Sequence, residues 1–143
     1  MIRTLVLTLC CVSWVCMIGC SRQSAIPKDI VATAESSYEQ ALAMINSKSY
    51  SEALALLDKA LGEGGGLNAD MVTDAYVARA RCHAELGNLD KAQADISEAE
   101  KGTGDLANLL LVQGILAMKK GDDATAQSNF SRAREINPEI KTP

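Results

Sequence analysis

From Ile30 onward, apolar residues recur every three or four positions, the spacing of an amphipathic helix rather than the alternation of a strand. The pattern predicts six helices, at about 30–47, 50–62, 70–86, 89–101, 105–120 and 122–136. Two of the breaks carry Gly87-Asn88 and Gly121-Asp122, and glycine suits a helix end because it enters left-handed backbone without steric cost. The fifth segment stands apart. Leu106, Leu109, Leu110, Leu111, Val112, Ile115, Leu116 and Met118 make it apolar nearly all round, so it must be covered on several sides. The sixth has only a thin apolar stripe among Asp122, Asp123, Gln127, Ser128, Asn129, Ser131, Arg132 and Glu135, as expected of a last helix facing water.

The segments repeat. Adding 34 to Gly87, Ala92, Ile96 and Ala99 gives Gly121, Ala126, Phe130 and Ala133, and the same step carries Tyr76, Ala80 and His83 to Leu110, Gly114 and Ala117. Subtracting 39 from the middle copy gives Ser37, Ala41, Met44, Ala53, Leu57 and Ala60, the extra residues falling in the Gly62–Asp70 loop. Small residues (Ala41, Ala80 and Gly114, then Ala53, Ala92 and Ala126) let paired helices approach, and Leu57, Ile96 and Phe130 fill the space between them. In period and in these positions the chain resembles the tetratricopeptide repeat, a helix-turn-helix unit of 34 residues. Asn137-Pro138 closes the last copy where that family favours proline. The resemblance implies an all-α fold: a superhelical array of three helix-turn-helix hairpins, a short α-solenoid over 30–140, with repeats at about 34–67, 73–106 and 107–140. The first copy departs from the pattern, with Lys48 at the turn glycine and Ser37 where an aromatic is usual.

The same resemblance implies a function. In tetratricopeptide arrays the first helix of each hairpin lines a concave groove that receives a partner. The register puts Glu35, Tyr38, Leu42, Ile45 and Asn46 there from copy one, and Asp74, Val77, Arg81, Ala84 and Glu85 from copy two. Copy three supplies Asn108, Leu111, Ile115, Met118 and Lys119. Tyr38, Leu42, Ile45, Val77, Arg81, Leu111, Ile115 and Met118 are the candidate partner contacts. Family members that grip a C-terminal carboxylate use Lys and Asn where this chain has Tyr38 and Leu42, so that clamp is not expected. A mostly apolar groove with a charged middle suits an amphipathic helix or an apolar peptide strip. The Leu111, Ile115 and Met118 side of the fifth helix is expected to face the groove. Changing Leu111 and Ile115 to Asp is then expected to weaken partner binding with little loss of helicity.

The N-terminus carries an address. Arg3 precedes an uncharged run from Leu5 to Ile18, shorter than the roughly 20 residues of a membrane span and suited to a signal-peptide core. Met17-Ile18-Gly19-Cys20 resembles a bacterial lipobox. The resemblance implies a cleaved signal peptide at 1–19, a diacylglycerol or acyl lipid on Cys20, and a tether over 20–29. Without cleavage, the run reads as an N-terminal anchor helix. Either way the rest of the chain lies outside the cytoplasm, and Ser21 after Cys20 resembles outer-membrane sorting in Gram-negative cells. Cleavage and lipidation leave Cys82 as the lone thiol, so no internal disulfide is expected despite an oxidising compartment.

Composition narrows the remaining chemistry. Aromatic residues make up 3% of the chain, which speaks against a β-sandwich or barrel. A net charge of −4 speaks against nucleic acid, which needs clustered bases. An acidic body gains nothing from an anionic membrane surface, leaving attachment to the lipid. Gly62-Glu63-Gly64-Gly65-Gly66 lacks the Gly-Lys-Ser/Thr ending of a phosphate loop and reads as a flexible linker. Cys82 and the single histidine, His83, read as packed side chains, and Lys119-Lys120 suits a helix C-terminus. No metal-ligand cluster or nucleophile-base set stands out, so recognition rather than catalysis is expected, with no cofactor beyond the lipid. Small tetratricopeptide lipoproteins also resemble pilotin-like assembly factors for outer-membrane machines. A homodimer closed through the fifth helix is a further alternative.

Overall fold

The computed structural model describes residues 26–62, 66–102 and 104–143. The segment at 1–19, Cys20, most of the tether and Glu63–Gly65 lie outside the described residues. Six helices follow in order: α1 Lys28–Asn46, α2 Tyr50–Gly62, α3 Ala69–Glu85, α4 Leu89–Ala99, α5 Leu106–Lys119 and α6 Asp123–Ile136. Each boundary falls within two residues of the periodicity. The helices pack in sequential pairs, α1 on α2, α3 on α4 and α5 on α6, and each pair rests on the next. The result is a short helical repeat array of three hairpins. No helix among the described residues is long and apolar enough to cross a membrane.

Local chemistry sets the ends. Asn68, Asp105 and Asp122 each accept backbone N–H groups in the first turn of α3, α5 and α6, satisfying donors that the helix leaves unpaired. Helices α1, α3 and α5 end in three copies of one turn. The Ser49 N–H donates to Met44 O and Lys48 to Ile45 O; Asn88 donates to His83 and Gly87 to Ala84; Asp122 donates to Ala117 and Gly121 to Met118. This nested pair of bonds requires left-handed backbone at its centre. Gly87 and Gly121 sit at φ 79° and 80°, and Lys48 adopts φ 62° in the same role. The first repeat thus forms its turn without the glycine that the other two use.

The interior follows the small-and-large spacing. Ala41, Ala53, Leu57, Ala80, Ala92 and Ala133 are fully buried, and Ile96 and Ala99 are nearly so. The packing partners trade volume across the array. Where the first two hairpins set Ala41 with Leu57 and Ala80 with Ile96, the third sets Gly114 with Phe130. A β-carbon on Gly114 would collide with the Phe130 ring, so the larger ring fits only because the opposing side chain is absent. Two clusters result. One joins α1, α2 and one side of α3 through Ala34, Leu57, Ala75 and Cys82. The other joins the opposite side of α3 to α4, α5 and α6 through Val77, Ile96, Leu116 and Phe130.

One expectation is corrected here. The far end of the glycine loop is packed rather than loose. Leu67 is buried in the first cluster, and a β-carbon on Gly66 would meet Ala34 Cβ and Ile30 O at 2.8 Å.

Candidate partner-binding groove

The first helices of the three hairpins line a groove with a volume of about 300 Å³. Tyr38, Leu42, Ile45 and Asn46 reach it from α1. Asp74, Val77, Ala78 and Arg81 come from α3, and Asn108, Leu111 and Val112 from α5, with Asp105 at the α5 N-cap. The face exists because positions spaced three, four and seven residues apart on α1, α3 and α5 project together. Most of the register-assigned residues are brought together as expected. Asp105, Ala78 and Val112 were missed. Asp105 precedes its helix, and helical register says nothing of a cap.

The structure corrects the fifth-helix assignment. Ile115 is 2% exposed and does not line the groove, and Leu111, which does, is 4% exposed. Both belong to the second core cluster with Val77, Ala80 and Ala84 of α3. The side of α5 expected to face the groove packs instead on α3, whose small Ala80 and Ala84 admit the larger side chains. Met118 is half-buried against the same cluster, outside the groove lining. Ala84 is fully buried, Glu35 does not line the groove, and Glu85 and Lys119 pair with each other at 2.9 Å. The Asp pair at 111 and 115 is therefore a core disruption, not a selective groove variant. Leu42 is the large apolar side chain that the groove leaves exposed, at 37%.

The polar lining is ordered. Asp74 Oδ1 accepts the Asp105 N–H at 3.2 Å. Asp105 Oδ1 accepts the N–H groups of Ala107 and Asn108, and its Oδ2 accepts from Asn108 Nδ2 at 2.8 Å. The Asp74 carboxylate is thus tied to the backbone of Asp105, and both residues line the groove at the starts of α3 and α5. Burial, and then the charge of Asp74, push the Tyr38 hydroxyl above its ordinary pKa, so it remains a protonated donor at neutral pH. Arg81 stands two helical turns along α3, and its Nε is buried with no hydrogen-bond partner.

A second polar cluster, on the α3 face toward α2 and α4, was not anticipated. Arg79 donates Nε and Nη2 to Asp95 at 2.9 and 2.7 Å and Nη1 to Asp58 at 2.9 Å. Its guanidinium also lies 5.2 Å from the Tyr76 ring. The hydrogen bond to Asp95 holds the guanidinium further above its already high pKa. Asp95 is 5% exposed, and His83 Nε2 stands 3.9 Å from it. Burial drives the His83 pKa down, against the pull of Asp95. The register hides this cluster: Arg79 corresponds to Gln40 and Gln113, and Asp95 to Leu56 and Asn129. Cys82, fully buried, has its thiol pushed up to about 11 by desolvation, which suits packing rather than reactivity.

No protein-family model matches this chain, and neither curated proteins nor solved structures give a match.

Proposed function

We propose that this chain is an extracytoplasmic lipoprotein of tetratricopeptide type, held to a membrane by a lipid on Cys20, whose groove binds a peptide or helix of another protein. The observation that carries the reading is the groove itself. Residues assigned to a recognition face by repeat register alone (Tyr38, Leu42, Ile45, Val77, Arg81 and Leu111 among them) line one cleft across all three hairpins. Recognition is its mechanism: the lipid sets location, and the paired helices hold the lining side chains in fixed relation. The N-terminal pattern of Arg3, a short apolar run and Met17-Ile18-Gly19-Cys20 supports the address.

The test places a photo-reactive side chain at Leu42 in cells, with Gln127 on exposed α6 as the control site. A discrete heterologous adduct from position 42 and none from 127 supports the groove. Adducts only between copies of this chain favour the homodimer, and equal labelling from both sites retires the groove as the recognition surface. Incorporation of labelled fatty acid, lost in Cys20→Ser, tests the anchor separately.

A further inference from the structure

Two arginines on α3 lie two residues apart and differ in one respect. Arg79 is matched by Asp95 and Asp58. Arg81 faces the groove, has no carboxylate within ion-pair distance among the described residues, and keeps a buried Nε without an acceptor. An unmet buried donor is costly, and a guanidinium presents a planar fork suited to a carboxylate. At the other end of the groove Asp74 and Asp105 lie together, neither with a cation partner among the described residues. The groove is therefore electrically polar: acceptors at one end, an unmatched cation at the other, Val77 and Leu111 between those levels on α3 and α5, and Leu42 and Ile45 lining it from α1.

Asp74 and Arg81 are seven residues apart on one helix face, so about 10 Å separates them along its axis at roughly 1.5 Å per residue. One turn of a polyproline II segment, three residues at roughly 3.1 Å each, covers about 9 Å and returns its side chains to the same side. Resting on the groove reading above, we infer that the preferred occupant is a polyproline II segment carrying a basic side chain and, one turn of three residues away, an acidic one. The basic side chain meets Asp74 and Asp105, the acid meets Arg81, and an apolar side chain between them lies on Leu42 and Val77. This places both charges inside the segment and needs no free terminus.

The test is selection from a random linear peptide library against the full chain in detergent, followed by titration of the selected peptides. The expected result is enrichment of a basic and an acidic residue three apart. Binding should fall about tenfold in Arg81→Gln and in Asp74→Asn, because a charge-assisted bond is lost in each. Removing the acid from the peptide should cost little further in Arg81→Gln, and removing the base little further in Asp74→Asn. This pairing of each variant with one peptide charge distinguishes recognition from a general loss of fold, which circular dichroism monitors in parallel. Peptides that need Leu42 but carry no such charge pair would overturn this inference and leave the groove reading standing. Peptides whose binding is indifferent to Leu42→Asp would overturn both.

Discussion

The two core clusters on either side of α3 solve one packing problem by different means. Around α1 and α2 the small residue is alanine, the filler is Leu57, and the turn is made by Lys48 in a left-handed conformation. Around α5 and α6 the small residue is glycine, the filler is Phe130, and the turn is made by Gly121. The first junction adds an ionic cluster, Asp58, Arg79 and Asp95, while α5 enters the second almost wholly apolar. A repeat therefore constrains backbone path and paired volume more tightly than it constrains side-chain identity. Substitutions should reveal which half relies on which solution.

The largest effect is expected in the second half. Ile115→Asp places an unpaired charge in a closed apolar cluster and should cost about 4 kcal/mol or more, seen as loss of the cooperative thermal transition. Retention of the melt with only a binding defect would return Ile115 to the groove. At the first junction, Asp95→Ala leaves Arg79 with exposed Asp58 alone and should cost about 3 kcal/mol, read from urea unfolding. A loss under about 1 kcal/mol would mean that solvent compensates the guanidinium. Gly114→Ala drives a methyl into Phe130 and should cost about 2 kcal/mol. The companion Gly114→Ala/Phe130→Leu variant, which copies the first hairpin's pairing, should recover most of that. No recovery would show that the volumes are not exchanged within the pair. Lys48→Gly should stabilise by about 1 kcal/mol, because it removes left-handed strain from a turn that the other hairpins make with glycine. A neutral or destabilising result would mean that the lysine side chain offsets the strain.

The smallest expected effect is a pH dependence. The folded-state pKa of His83 lies below its ordinary value, chiefly through burial. The folded state therefore binds this proton less readily than the unfolded chain does. The associated stability is present above the unfolded pKa of about 6.5 and is lost as pH falls through that value toward the folded pKa. His83→Gln should flatten the stability profile as pH falls below about 6.5, and since the chain holds one histidine the difference belongs to this residue. An unchanged slope would assign the dependence to carboxylates.

Much of this architecture was legible in the sequence because it is encoded locally. Helical periodicity, two turn glycines and a fixed small–large spacing place all six helices and most of the groove face. The misplacement of Ile115 has a definite cause. A helix apolar on every side carries no contrast to say which side meets solvent, and only the approach of α3 through Ala80 and Ala84 decides it. The Arg79 cluster escaped for the opposite reason. Its Arg79 and Asp95 have no counterpart in the other copies, so comparison among copies averages it away, and Asp58, Arg79 and Asp95 lie on three different helices. The electrical polarity of the groove is intermediate: Asp74 and Arg81 are visible from register, whereas Asp105 joins them only through the backbone bond that draws the start of α5 against α3.

The sharing of α3 between both clusters bears on how the array opens. Ala75 and Cys82 are held by the first cluster, Val77, Ala80 and Ala84 by the second. Neither half can dissolve without stripping one side of this helix. Amide hydrogens of α3 should therefore exchange last, through the highest-energy opening, while α1 and α6 exchange through fraying from either end. α3 thereby couples the two clusters into one cooperative unit, and the groove that it floors keeps its shape until the molecule unfolds as a whole.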